Sequence, residues 1–179
     1  MVRSLLLTHP AWASADDDTA RLKAMYDPPY LAYYTDRTQF DDAADLVTEH
    51  LDEHGPFDGV FAFSQGCHLA AALMSASPHN EPDNQPFRFA VFMGAGPSPK
   101  FDVKEGERER RLHAPILHVI GRKDGYRHQS REYISLHDKA SDMAVLEHDG
   151  GHHVPIDVVT RYAITRYMRD RCSEWPAAA

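Results

Sequence analysis

The chain has little cysteine and no long apolar stretch. Only two cysteines, Cys67 and Cys172, occur among its 179 residues, so no disulfide framework exists. This fits a reducing compartment, and we predict a cytoplasmic protein. No segment is apolar over the length that a bilayer requires. The leucine run at 5–7 ends at Thr-His-Pro, which makes it too short for a secretory signal and indicates a buried strand instead.

Positive charge is also scarce. Lys and Arg number 19 against 27 Asp and Glu, which gives a formal net charge of -8. An acidic surface repels phosphate backbones and anionic lipids, so we expect neither a nucleic acid nor a membrane as a partner. The 12 histidines are accompanied by no His-Glu-x-x-His helix and no cysteine pair. We therefore predict no metal and no cofactor.

Strand and helix patterns alternate along the chain. Five short apolar runs predict strands, at residues 4–8, 57–63, 87–93, 115–120 and 144–146. Helical patterns separate most of these runs, and no repeat or linker divides the sequence. The alternation predicts one α/β domain over 1–179, with a frayed tail after about residue 172. We expect a three-layer sandwich around a mostly parallel sheet of about five strands.

The last predicted helix covers residues 155–171. Pro155 suits the first turn of a helix. The apolar spacing predicts that Ile156, Val159, Ala163 and Tyr167 lie on its inner face.

A serine stands where the second strand meets a helix. The stretch Ala62-Phe63-Ser64-Gln65-Gly66 has the context of a nucleophile elbow, although Ala62 replaces the first glycine of G-x-S-x-G. The alternative interpretation is a serine that caps the helix. Cys67 follows directly and could be an activated thiol at a helix start, but Ser64 is better placed as the nucleophile.

Acidic and basic partners for Ser64 follow the later strands. Asp124 comes after the fourth strand, where it could orient a histidine or cap the next helix. His152 comes after the fifth strand and directly follows a Gly-Gly turn, so we favour it as the base over His153 and interpret His148 as structural. The functional site of an open parallel sheet lies at these strand ends. The order Ser, Asp, His is that of an α/β-hydrolase triad.

Three blocks resemble a known family. Residues 55–66 read Gly-Pro-Phe-Asp-Gly-Val-Phe-Ala-Phe-Ser-Gln-Gly, and the blocks at 117–124 and 148–155 read Leu-His-Val-Ile-Gly-Arg-Lys-Asp and His-Asp-Gly-Gly-His-His-Val-Pro. They resemble the G-P-F-D-G-V-x-G-F-S-Q-G, L-H-V-x-G-x-x-D and H-x-G-G-H-x-V-P blocks of the FSH-type serine hydrolases, within the α/β-hydrolases. The resemblance extends from about residue 27 onward.

The resemblance implies an acyl-transfer enzyme. Ser64 would be the nucleophile, Asp124 the orienting acid and His152 the base, with the Gln65 backbone N–H as one oxyanion donor. The implied substrate is a small-molecule carboxylic ester or acyl thioester of the kind made in fungal polyketide pathways, either free or bound to a carrier protein. A hydrolase-like protein that binds or scaffolds without catalysis is the alternative.

The N-terminal part departs from the family pattern. The family has two strands before the serine block, whereas this chain has only the strand at 4–8. That strand matches the second family strand, or a worn form of the first with its neighbour deleted. Either way one βα unit is expected to be missing, and an unpaired sheet edge would favour a homodimer. We expect this strand beside 60–63, which would bring Pro10 close to the Ser64 turn. Since Pro10 has no N–H, the second oxyanion donor is expected from Ala11, from Trp12 or from a side chain, or it is absent.

Overall fold

The structure, a computed structural model, describes residues 4–7, 33–34, 36–75, 86–96, 112–136 and 142–173. Within these ranges the strands are β1 (Ser4–Leu7), β2 (Gly59–Phe63), β3 (Phe89–Met93), β4 (Ile116–Gly121) and β5 (Met143–His148). The helices are α1 (Arg37–His54), α2 (Gln65–Ser75), α3 (Arg127–Tyr133) with the 3₁₀ turn Ile134–Leu136, and α4 (Val158–Ser173).

The five described strands form one parallel sheet whose spatial order follows the chain order, β1 to β5. Leu5 is opposite Val60, so the expected pairing of the first strand with 60–63 is confirmed. Right-handed crossovers between strands in sequential order place all connecting helices on one face of a sheet. The helix that follows the last strand is then the one free to cover the other face.

Two cores, one on each face of the sheet, agree with this topology. On one face, side chains of α1, α2 and α3 pack against inward residues of the strands, including Phe40, Val47, Leu69, Met74, Tyr133, Val60, Ala90, Phe92 and Ile116. On the other face, Ile164 of α4 packs against Phe89, Val91, Met93, Leu117 and Val119. Neighbouring residues of β3 alternate between the two cores, because successive side chains of a strand point to opposite faces. The predicted three-layer α/β architecture is confirmed.

Several predicted boundaries shift. The last helix begins at Val158 instead of residue 155. Helix α1 begins at Arg37, because the Asp36 side chain caps it and accepts a hydrogen bond from the Gln39 N–H at 2.9 Å. Strand β5 is longer than predicted and reaches His148. The proposed tail after about residue 172 falls mostly outside the described residues. None of the helices in the described part carries the long apolar stretch that crossing a membrane requires.

The predicted inner face of α4 is partly wrong. Val159 and Ile156 are each 80% exposed, whereas Ile164 is 6% exposed and packs in the core together with Tyr167 and, in part, Met168. The residues of α4 that face the sheet are 160, 164, 167 and 168, beginning with the buried Thr160. Val159 comes one residue earlier, and one residue turns a helix by about 100°, so its side chain points away from the sheet. Ile156 precedes the helix, so helical spacing does not fix where it points.

This phase can be tested by a matched pair of truncations. Ile164→Ala should lower the free energy of unfolding by about 2–5 kcal/mol, because it removes buried methyl groups from the core. Val159→Ala should change it by no more than about 0.5 kcal/mol. Urea titration followed by circular dichroism measures both. A larger loss in the Val159 variant would contradict the assigned face.

Candidate active site

Ser64 occupies a tight turn between β2 and α2. Its φ is 52°, a left-handed value that costs a residue with a side chain about 1–2 kcal/mol. The turn is held because the Ser64 N–H donates to the Met93 carbonyl at 3.0 Å and the Ser64 carbonyl accepts from the Cys67 N–H at 3.0 Å. Ala62 and Gly66, two positions before and two after the serine, are both buried. The turn directs the hydroxyl out of the backbone and toward the carboxyl edge of the sheet.

Hydrogen bonds link the three predicted side chains in series. The distance between Ser64 Oγ and His152 Nε2 is 3.0 Å, and that between His152 Nδ1 and Asp124 Oδ2 is 2.9 Å. A carboxylate only accepts hydrogen bonds, so in the neutral imidazole Nδ1 carries the proton and donates to Asp124. Nε2 is then the acceptor for the Ser64 hydroxyl. This is the arrangement in which an imidazole can take a proton from a serine.

Asp124 is fixed on both sides. Its side chain is 1% exposed, and its second oxygen accepts a hydrogen bond from the Tyr126 N–H at 2.8 Å. One oxygen of Asp124 therefore stabilises the turn before α3, while the other lies within hydrogen-bond distance of His152. The sequence left open a helix cap and a partner for a histidine. Asp124 is the partner of His152, whereas the N-cap residue of α3 is Tyr126 and no side chain caps that helix.

The loops after β4 and β5 are joined through their backbones. The Arg122 N–H donates to the His148 carbonyl at 2.8 Å, and the Lys123 N–H donates to the Gly150 carbonyl at 2.9 Å. Gly121 allows this approach, because a Cβ there would stand 2.7 Å from the Gly150 oxygen. The pairing of the two loops is what brings Asp124 next to His152.

An ion-pair cluster on the surface supports the same loops. The Glu147 carboxylate accepts hydrogen bonds from Arg127 at 3.0 Å and from Arg131, and Arg122 pairs with Asp149 at 2.7 Å. The hydrogen bonds from Arg131 and Arg127 lower the pKa of Glu147 to about 2. Helix α3 is thereby connected to the end of β5.

The other candidates near Ser64 are placed elsewhere. His153 is exposed, its Nδ1 bonds to the Val154 carbonyl at 3.0 Å, and its ring lies against that of His148. His148 is buried, and burial lowers its pKa, which suits a neutral ring that accepts from the Gly150 N–H at 3.2 Å. Cys67 is fully buried and burial raises the pKa of its thiol, so it lacks the exposure of a nucleophile.

Gln65 opens α2 directly after Ser64. The first amides of a helix have no partner inside the helix, which suits the Gln65 N–H to an anion beside Ser64. Its side chain accepts from the Tyr33 N–H at 3.2 Å and donates to the Tyr34 carbonyl at 3.1 Å, which anchors the helix start. The candidate second donors, Ala11 and Trp12, lie outside the described residues.

Three neighbours of His152 were missed by the sequence analysis. The His152 ring lies between Phe63, at a centroid distance of 4.9 Å, and Tyr126, at 5.1 Å. Gly94, with a φ of 52°, passes so close that a Cβ would stand 3.1 Å from His152 Nδ1 and 3.3 Å from Asp124 Oδ2. Gly94 could have been found from the sequence, because it directly follows the strand that pairs with the strand before Ser64. Nothing local in the sequence marked Tyr126.

Metal-ligating side chains do not cluster in the described part of the chain. No group of three or more His, Cys, Asp or Glu converges there. The histidines of the 148–153 loop are instead used in hydrogen bonds and ring contacts.

The chain also matches a known protein family. The profile of the family described as "Serine hydrolase (FSH1)" matches residues 8–164, which is most of the chain. The chain belongs to the FSH1 serine hydrolase family. The match includes Ser64, Asp124 and His152, together with all three blocks from which the resemblance was inferred.

Curated relatives of the chain include named esterases. The chain is 34% identical over 123 residues to "Esterase FPY3" of Fusarium mangiferae, covering 63% of this chain and 55% of that protein. It is 30% identical over 128 residues to "Esterase OVCA2" of Bos taurus, covering 72% of this chain and 56% of the relative. The chain thus spans about half the length of these curated relatives.

Solved structures share the fold. The carboxylesterase from Mesorhizobium loti superposes with a TM-score of 0.62 at 15% identity, over 94% of this chain and 88% of that one. The type II thioesterase BorB of the borrelidin biosynthetic cluster gives a TM-score of 0.55 at 14% identity, over 74% and 70% of the two chains. At these identities the likeness establishes the α/β-hydrolase fold alone.

The position of Gly94 generates a test. Gly94→Ala should lower the free energy of unfolding by about 1–2 kcal/mol, because alanine is strained at a positive φ. Its methyl group would also press on His152 and shift the downfield NMR resonance of the proton between Nδ1 and Asp124.

The matched control for Gly94 is Gly96→Ala. Gly96 does not have a left-handed φ, and a Cβ there meets its nearest described neighbours at 4.0 Å. We expect this control to stay within about 0.5 kcal/mol of the wild type. If Gly94→Ala matched the control in stability and left the resonance in place, the close approach at His152 would be refuted.

Proposed function

We propose that this protein is a serine hydrolase that cleaves a carboxylic ester or thioester through Ser64, His152 and Asp124. The observation that carries the proposal is the unbroken series of hydrogen bonds, 3.0 Å and 2.9 Å long, from Ser64 Oγ through His152 to Asp124. Family membership and the esterase names of curated relatives support the same reaction class.

The proposed first half-reaction transfers the acyl group to the protein. Ser64 Oγ forms a bond to the carbonyl carbon while its proton passes to His152 Nε2, and negative charge develops on the carbonyl oxygen. Asp124 stabilises the resulting imidazolium through Nδ1–H. The Gln65 N–H is the proposed donor to the oxyanion. Nε2 then returns its proton to the leaving oxygen or sulfur as the bond from that atom to the carbonyl carbon breaks.

The second half-reaction releases the acid. Water attacks the acyl-Ser64 carbonyl and gives a proton to His152 Nε2. The bond between the carbonyl carbon and Oγ breaks, and Oγ recovers that proton. The Gln65 N–H is the proposed oxyanion donor, and no second donor is assigned among the described residues. We therefore propose that turnover is fastest on activated esters or thioesters whose leaving groups need little assistance.

Two finer parts of the proposal, a polyketide-type acyl chain and delivery by a carrier protein, rest on the family resemblance alone. A homodimer is proposed from the expected unpaired edge of the sheet, and a cytoplasmic location from the presence of only two cysteines. A non-catalytic binding or scaffold role is the alternative that the following experiment would reveal.

Covalent labelling tests the nucleophile. A fluorophosphonate probe should label the wild type at Ser64, because an activated serine attacks phosphorus as it does a carbonyl. Ser64→Ala should abolish labelling, and the control Ser75→Ala, at the C-terminal end of α2, should not. Labelling is read by fluorescence in gels and by peptide mass spectrometry. An unlabelled wild type that also hydrolyses no ester would favour the scaffold role.

A pair of histidine variants tests the base. His152→Ala should reduce kcat on 4-nitrophenyl acetate by about 10⁶-fold, the scale seen when the base of such a triad is removed. His153→Ala should stay close to the wild type, because its ring faces His148 and the solvent. Initial-rate kinetics at fixed pH measure both. A greater loss in His153→Ala would exclude the proposed base.

A further inference from the structure

The segment that follows β3 borders the Ser64 hydroxyl. A Cβ built on Gly96 would stand 4.0 Å from Ser64 Oγ and 4.0 Å from Cγ of the Tyr126 ring. Gly96 therefore presents its bare Cα to the space between the serine oxygen and that ring. Its φ is not left-handed, so the backbone there does not itself require glycine.

Two buried side chains form hydrogen bonds to backbone carbonyls of this segment. His68 of α2, 5% exposed, places Nε2 3.1 Å from the Gly96 carbonyl oxygen. A carbonyl only accepts, so His68 carries its proton on Nε2 and donates it. Ser130 of α3, 1% exposed, donates to the Ala95 carbonyl at 2.7 Å. Neither side chain is a member of the hydrogen-bond series from Ser64 through His152 to Asp124.

Tyr133 fixes the position of His68. The Tyr133 ring meets the His68 ring edge to face at a centroid distance of 4.8 Å. The Tyr133 hydroxyl donates to the Cys67 carbonyl at 3.4 Å, one residue before His68. The wall formed by Ala95 and Gly96 is therefore attached to the same helix that begins beside the serine. Its distance from Ser64 Oγ is set by buried contacts.

The wall and the His152 ring share Tyr126 as a neighbour. His152 Nε2 must reach the leaving atom to return its proton, so that group lies beside the imidazole. The Tyr126 ring contacts the His152 ring at a centroid distance of 5.1 Å, and Tyr126 Cγ is 4.0 Å from the position that a Cβ on residue 96 would take. Gly96 and Tyr126 thus border the same side of the serine as the imidazole.

We propose that Gly96, positioned by His68 and Ser130, determines the size of the leaving group that the Ser64 site accepts. The inference rests on the proposed hydrolase function and deepens it. The substrates that it indicates are esters or thioesters whose leaving group is broad next to the oxygen or sulfur. The missing side chain at residue 96 provides the room for that breadth.

Gly96→Val tests the selectivity. With one acetyl group throughout, kcat/KM should fall about tenfold or more for a broad leaving group such as 4-nitrophenol, and stay near wild type for methanol. A second series, methyl esters of lengthening acids, should respond as the wild type does. If the acyl series changed instead, or both series fell equally, the assignment to the leaving group would be wrong.

The fluorophosphonate probe separates this inference from the underlying function. Its leaving group is fluoride, which is small, so Gly96→Val should be labelled at a rate close to that of the wild type. Failure to label even the wild type would overturn the hydrolase itself. Normal labelling with an unchanged ratio of kcat/KM between 4-nitrophenyl and methyl acetate would overturn only the role of Gly96.

Variants of His68 test the positioning role. His68→Gln keeps an N–H donor that can reach the Gly96 carbonyl, and it should retain the wild-type ratio of kcat/KM between 4-nitrophenyl and methyl acetate. His68→Ala removes the donor, and the ratio should shift severalfold as the wall relaxes. A purely structural role would lower the melting temperature and both rates together with no change in the ratio, which would refute the positioning role.

Discussion

The hydrogen bond between Ser64 Oγ and His152 Nε2 joins residues 88 positions apart in the chain, and much of the architecture serves it. It requires the carboxyl ends of β2, β4 and β5 to meet at one edge, which a parallel sheet provides. It also requires the left-handed turn that lifts the serine hydroxyl out of the backbone. The strain of that turn is offset by backbone hydrogen bonds to Met93 and Cys67.

Close backbone approach is the second condition. Gly94 passes against the His152 and Asp124 pair, and Gly121 lets the loops after β4 and β5 hydrogen-bond to each other. At both positions a methyl group would displace the groups that must stay within hydrogen-bond reach. The geometry of the polar side chains therefore depends on the absence of a Cβ at Gly94 and Gly121 as well as on the polar residues themselves.

Two buried polar side chains, His68 and Ser130, fix the backbone segment next to Ser64. The His68 and Ser130 side chains satisfy carbonyls of the segment after β3, and such buried acceptors are costly when left unpaired. Helices α2 and α3 thus contribute to the site without supplying any member of the hydrogen-bond series. A helix on the opposite face, α4, has no such role and instead covers the sheet through Ile164.

The sequence by itself determined the alternation of strands and helices, the parallel sheet and the identity of Ser64, Asp124 and His152 as candidates. These follow from local patterns, namely apolar runs, turn residues and the order of polar residues at strand ends. Only the tertiary structure decided the rest. The phase of α4, in which Val159 faces solvent, depends on how the helix packs against the sheet. The roles of Gly94, Tyr126 and His68 arise from contacts between segments far apart in the chain, which no local pattern encodes.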